Sequence, residues 1–142
     1  MTEEDRRLLE VALEAQKNAH CPFSKYPVGA AVLTADGSIF SGCNVESASF
    51  SLTCCAERVA VFKAVSEGHK RILSCSIVTT DQAPAAPCGA CRQVLYEFGG
   101  DMRIVLGNPT GKVDIMQLSE LLPHGFTQEH LLSRTMAVDE ND

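Results

Sequence analysis

Cys55-Ala56-Glu57-Arg58 and, further along the chain, Pro87-Cys88-Gly89-Ala90-Cys91-Arg92 each place cysteine where a loop turns into a helix. Together they offer three thiolates and one carboxylate. Three soft ligands leave the fourth corner of a zinc tetrahedron open, the arrangement of a catalytic rather than a structural site. Glu57 follows its cysteine by two positions, so it can sit beside a metal without binding it. Cys88 and Cys91 are three apart and present two sulfurs to one side of a helix start, with Gly89 and Ala90 small enough to let a metal approach. Cys55 must come from elsewhere. The interval between the two stretches has room for a helix and a strand, so a helix-strand-helix unit can bring two helix N-termini face to face, where thiolates are stabilised. A redox pair at Cys88 and Cys91 would leave Cys55 and Glu57 unemployed. A closed four-cysteine site would need Cys54, but adjacent residues entering a helix point in different directions. Cys21, Cys43 and Cys75 read as small buried hydrophobes.

Working outward, a helix is expected from about Cys55 to Glu67, with Ala56, Val59, Ala60 and Ala64 spaced for packing and Gly68 as its stop. Ile72 to Thr80 follows as a strand, Asp81 to Pro87 as a proline- and alanine-rich loop, and Cys88 to Phe98 as a helix closed by Gly99-Gly100. Upstream, Thr2 and Asp5 form a cap for an amphipathic helix reaching His20. Pro22 and Pro27 then hold the chain in a loop. Val28 to Thr34 and Ser38 to Gly42 read as a hairpin about Asp36-Gly37. Downstream come strands at Met102 to Leu106 and Val113 to Met116, then a short helix from Leu118 to Leu122 stopped by Pro123. The expected fold class is α/β: one three-layer α/β/α domain with a mixed, roughly five-stranded sheet, its later strands parallel through helical crossovers. Residues 1–135 form the domain, and 136–142 an acidic, disordered tail. Both cysteine helices begin at the carboxyl edge of the sheet, where such folds bind ligands.

A chain of 142 residues fits one domain. Its longest apolar runs are too short to span a bilayer. The acidic start, Met1-Thr2-Glu3-Glu4-Asp5, has neither the basic region nor the apolar stretch of a signal, so a cytoplasmic protein without membrane contact is expected. Seven cysteines, an odd number with two adjacent, argue for reduced thiols rather than a disulfide framework. The net charge of -6 and the lack of clustered Lys and Arg argue against a nucleic-acid polymer as partner. A small, neutral or weakly charged substrate fits better.

The chain resembles the small, homotetrameric, zinc-dependent cytidine deaminases of pyrimidine nucleoside salvage. The match runs from Phe23-Ser24-Lys25-Tyr26-Pro27-Val28-Gly29-Ala30-Ala31 through Gly42-Cys43-Asn44-Val45-Glu46 and the two cysteine stretches, with Gln93-Val94 and Leu121-Leu122-Pro123 extending it. The resemblance implies one Zn2+ per subunit on Cys55, Cys88 and Cys91, with Glu57 moving protons as cytidine or deoxycytidine is hydrolysed to the uridine product and ammonia. It implies that Asn44 and Glu46 bind the sugar, that Tyr26, where the family commonly has Phe, stacks on the base, and that the Ala56 backbone meets the base edge. Ala48, Phe50 and Phe126 would enter neighbouring subunits' pockets in a homotetramer; read without the resemblance, the two aromatics are ordinary core residues. Three thiolates on Zn2+ carry net negative charge, which Arg58 is placed to offset by hydrogen-bonding a ligand sulfur. The four histidines stand alone and read as surface or structural. Blasticidin S deaminases share the zinc motif, and on the cysteines alone a structural zinc module or a thiol-redox protein is the competing reading.

Overall fold

The structure, a computed structural model, describes residues 1–139, with side chains described through residue 133. The tail expected over 136–142 overlaps the end of the last helix and otherwise lies outside the described residues. Helix α1 spans Glu3–Gln16 and opens on the expected cap: Thr2 Oγ1 accepts from the Asp5 amide, and the Asp5 carboxylate accepts from the Thr2 amide. It ends short of His20. The amides of Lys17, Asn18 and Ala19 bond three residues back rather than four, which tightens the chain into turns, and His20 then bridges to Val45.

Five strands follow: β1 (Gly29–Thr34), β2 (Ile39–Cys43), β3 (Ile72–Val78), β4 (Arg103–Gly107) and β5 (Val113–Gln117). They form one sheet in the order β2-β1-β3-β4-β5. Only β3 and β4 pair in parallel; β5 returns antiparallel, because a tight turn rather than a helix joins it to β4. The parallel pair is the one joined by a helical crossover, as expected of a mixed sheet. Helices α2 (Ala56–Ser66), α3 (Gly89–Gly99) and α4 (Leu118–Leu121) complete the expected elements. Helix α5 (Gln128–Asp139) was not foreseen: its mean hydropathy is low and its sequence has no apolar stripe to announce it.

Strand β1 is buried along its whole length, as a central strand covered on both faces must be. Ala31 and Leu33 pack with Leu8 and Ala12 of α1 on one face. Ala30 and Val32 pack with Ala56, Ala60, Val61 and Ala64 of α2 on the other, together with Leu95 of α3 and Leu118 of α4. The result is the expected three-layer α/β/α sandwich. Two glycines set how closely the layers approach. A Cβ on Gly29 would lie 1.9 Å from the Ala12 carbonyl oxygen of α1, and one on Gly42 would lie 2.6 Å from the Ala56 carbonyl oxygen of α2. Gly29 is also paired with both Cys43 and Val78, so β2 and β3, parallel to each other across β1, end level at one edge. From that edge the chain proceeds to α2 and α3.

Asp5 does more than cap. It is 2% exposed, and Arg103 of β4 clamps its carboxylate with two bonds, Nε at 3.0 Å and Nη2 at 2.7 Å. The Arg103 guanidinium, helped by the Thr2 amide and hydroxyl, holds the Asp5 carboxyl down to about 2 from the usual 3.8. A depressed native pKa adds stability that is present above the unfolded value and lost as pH falls through the native one. Asp5→Asn should therefore cost about 2 kcal/mol near neutral pH. Urea titrations at several pH values should show that deficit closing as pH falls from about 4 towards 2; a deficit constant with pH would deny the ion pair its role.

Candidate active site

Cys55 is the N-cap of α2 and Cys88 the N-cap of α3, both extended in backbone and without a side-chain capping bond. Their sulfurs are thus free to face each other, 3.9 Å apart. Cys91, fully buried in the first turn of α3, joins them, and the three sulfurs lie within 4.8 Å of one another. Sulfurs held about 2.3 Å from a shared zinc in tetrahedral array would sit roughly 3.8 Å apart, so the donor set fits the ion in kind, number and spacing. Cys54 is not part of the cluster; its backbone pairs with Val45. All seven cysteines are free. Of the three expected to be buried hydrophobes, Cys75 alone is buried, while Cys21 and Cys43 are half-exposed because each sits where a strand or loop meets the surface.

The electrostatics of the cluster come from its neighbours. The neighbouring Cys91 thiol and Arg58 Nη2, which donates to the Cys55 sulfur at 3.4 Å, together hold Cys55 down to about 5. The neighbouring Cys55 sulfur, and burial, push Cys91 up. Arg58 is therefore not a solvated surface residue. Its Nε is buried and has no partner among the described residues, so the guanidinium is left aimed into the cluster with a donor to spare.

Glu57, in the first turn of α2, is 4% exposed, and burial pushes its carboxyl above the ordinary range. It lines a cavity of about 320 Å3 with Cys55, Ala56 and Cys88, closed on the other sides by Val28, Ile77, Thr79 and the Ala85-Ala86-Pro87 wall. That volume is at the lower end for small-molecule sites and is mostly apolar with a few polar groups, as such sites are.

Tyr26, Asn44 and Glu46 line the same cavity, as expected. The last two already have work. Asn44 Oδ1 accepts from the Val28 amide at 2.9 Å, and its Nδ2 donates to the Tyr26 carbonyl at 2.8 Å. Glu46 accepts from the amides of Phe23 and Ser24 and from the Ser24 hydroxyl. The two residues expected at the sugar therefore also pin both ends of the loop that carries Tyr26. Ser24 and Thr79 of the lining were not foreseen, because a lone Ser or Thr in a loop or strand carries no spacing signal.

Phe50 and Phe126 are 74% and 49% exposed, which overturns their reading as core aromatics. Ala48 is exposed as well. Phe50 meets the Phe23 ring edge-on with centroids 5.8 Å apart, and Phe126 stacks on His130. None of the three lines the cavity of its own chain. The histidines are structural or superficial: His69 pairs with Asp36 and tilts against Phe40. No helix among the described residues is long and apolar enough to cross a membrane.

Residues 2–108 match the family model described as the cytidine and deoxycytidylate deaminase zinc-binding region. A cytidine deaminase of Sporosarcina psychrophila is 44% identical over 126 residues, covering 88% of this chain and 93% of the relative. One from Halalkalibacterium halodurans is 45% identical over 129 residues, covering 89% and 98%. Among solved structures, the cytidine deaminase of Burkholderia pseudomallei superposes with a TM-score of 0.83 at 43% identity, over 89% of this chain and all of that one.

Proposed function

The chain belongs to the family of zinc-binding cytidine and deoxycytidylate deaminases, and we propose that its cavity hydrolyses cytidine and deoxycytidine to uridine and deoxyuridine with release of ammonia. One observation carries the assignment of the site: a buried carboxylate, Glu57, opens into the same cavity as Cys55 and Cys88, whose sulfurs cluster with that of the buried Cys91 behind them. These three cysteines would hold one Zn2+. When bound, the ion supplies the Lewis acidity that lets a water lose a proton near neutral pH. Glu57 is the catalytic residue: its carboxylate takes that proton, delivers it to ring N3 as oxygen adds at C4, and then helps the exocyclic amine leave as ammonia. Burial suits this traffic, since a carboxyl that holds its proton more firmly than usual can both accept and return it. Three thiolates outweigh the charge of Zn2+, and Arg58 with the N-termini of α2 and α3 offsets the excess.

Tyr26 stacks on the base and the Ala56 backbone meets its edge in this reading. Asn44 and Glu46 hold the sugar, chiefly its 3′-hydroxyl, which takes over the place of the Ser24 hydroxyl on Glu46. A neutral diol suits this carboxylate and carboxamide pair, and the 2′-hydroxyl is read weakly. The exposed apolar band of Phe23, Phe50 and Leu52 beside the pocket mouth supports a homotetramer in which Ala48, Phe50 and Phe126 complete neighbouring pockets. The enzyme would serve pyrimidine salvage in the cytoplasm, a reducing compartment that suits seven free thiols.

Ammonia release from cytidine, deoxycytidine, free cytosine and blasticidin S, followed across a dilution series with assembly size measured in parallel, tests these points together. The two nucleosides should turn over at similar rates and activity should fall as the assembly dissociates. Preference for cytosine or blasticidin S would replace the substrate, and fully active monomers would remove the composite pocket.

A further inference from the structure

Tyr26 comes from one irregular segment and faces another, the run from Thr79 to Pro87 that forms the pocket wall and leads into Cys88. A side-chain bond joins them: the Tyr26 hydroxyl donates to Asp81 Oδ2 at 2.5 Å. The Asp81 end of this contact is itself held. Asn108, 8% exposed at the end of β4, donates from Nδ2 to the carbonyls of both Asp81 and Gln82, at 3.1 and 2.7 Å. Its Oδ1 gathers the amides of Thr110 and Lys112 and the Thr110 hydroxyl, so the carboxamide cannot rotate without losing five bonds. At the other end of the wall, Arg92 Nε donates to the Pro87 carbonyl at 2.7 Å. Beside Tyr26, Thr79, a residue 3% exposed, lines the cavity.

We infer that Asp81 is a positioning residue: it fixes the Tyr26 ring at the base-binding wall, and Asn108 fixes Asp81. This rests on the deaminase reading of the cavity. The physical need is plain. A phenol rotates about two side-chain bonds, and an aromatic ring stacks productively on a base in only a narrow range of orientations. A bond to a carboxylate is among the strong ones, and here it spans two loops that no strand pairing connects. The chain Asn44, Tyr26, Asp81, Asn108 thus runs from the sugar side of the pocket to its outer wall. Substrate binding, not the chemical step, is what such a brace serves, because the ring meets the ground state and the transition state alike. The thiolate cluster and Glu57 do not touch Asp81.

A double-variant cycle on the zinc-loaded enzyme tests it. Asp81→Ala should raise KM for cytidine about tenfold with little change in kcat. Tyr26→Phe should raise KM to the same extent, and the double variant should be no worse than either alone. Asp81→Asn, whose amide oxygen still accepts the phenol, should restore KM. Losses that multiply in the double variant, a fall in kcat at unchanged KM, or wild-type KM in Asp81→Ala would overturn the inference. A second readout needs no substrate. The chain has two tyrosines, so in a Tyr96→Phe background the phenolate absorbance belongs to Tyr26. Burial and the Asp81 carboxylate, with Glu57 further off, push the Tyr26 phenol up, while Thr79 draws it down. Asp81→Ala should bring its titration midpoint down; an unmoved midpoint would break the proposed link. A wild type that releases no ammonia would count against the deaminase reading alone, since the titration still decides the pairing.

Discussion

Glu57→Ala should retain zinc and yet lose ammonia release from cytidine by about 10²- to 10⁴-fold, the range expected when a positioned proton-transfer group is removed. The sulfurs and Arg58 are untouched by the change, so metal content measured on the purified variant should match the wild type. The side chain is 4% exposed but lines the cavity rather than the packed apolar core, so the fold should survive. Burial and the Cys55 charge raise the carboxyl against the opposing pull of Arg58 and the Cys91 thiol, which means that an ionised Glu57 costs the apoprotein stability. Thermal melting should accordingly be no lower in the variant, the usual relation between a strained functional group and the fold that carries it. Glu57→Gln, equal in size and unable to take a proton, separates chemistry from packing and should be as inactive as the alanine variant. The pH profile adds a sign. The base form of Glu57 is required, so the acid limb of the rate profile should disappear from the residual activity of either variant. Activity retained by either variant at the wild-type level would remove Glu57 from the reaction.

What the sequence disclosed and what it hid divides along a physical line. Periodicity and caps made the sheet and four helices legible: Thr2 with Asp5, Asp36-Gly37, Gly68 and Pro123 each mark a boundary through local chemistry that tertiary context did not override. The parallel pairing of β3 and β4 followed from the helix between them, and β5 runs back antiparallel because its connection is a turn. Site residues declared themselves where spacing carries chemistry, as in the cysteine stretches, and the Arg58 to Cys55 contact followed from one helical turn. Asn44 and Glu46 were legible only through a resemblance, and the structure adds that both brace the loop 23–28. Asp81 and Asn108 were invisible, since their partners lie 55 and 27 residues away along the chain. Phe50 shows the opposite failure: an aromatic in a local window looks like core, yet it is 74% exposed, which local sequence cannot announce.

Removing one sulfur should cost more than any other single change in the chain, and the choice of cysteine makes the result decisive. Cys91→Ala takes away the one ligand that is both fully buried and inside a helix. Two thiolates remain, at Cys55 and Cys88, each at a helix start and each open to the cavity. With half a tetrahedron left, the variant should emerge from dialysis without zinc, and ammonia release should fall to the uncatalysed background. Because metal binding free energy is also folding free energy, melting temperature should drop as well. The informative comparison is with wild type stripped by a chelator. Loss of the ion dominates both samples, so the variant should melt near the stripped wild type, and chelator should lower the variant no further. Cys75→Ala supplies the control. Cys75 is equally buried, but burial pushes its thiol well up, it lies outside the cluster, and its sulfur only approaches the Ser76 carbonyl. It should lose a little packing, on the order of 1 kcal/mol, while keeping its zinc, its turnover and its sensitivity to chelator. If Cys75→Ala lost zinc as readily as Cys91→Ala, or if Cys91→Ala kept a full complement, the three-sulfur site would have to be redrawn.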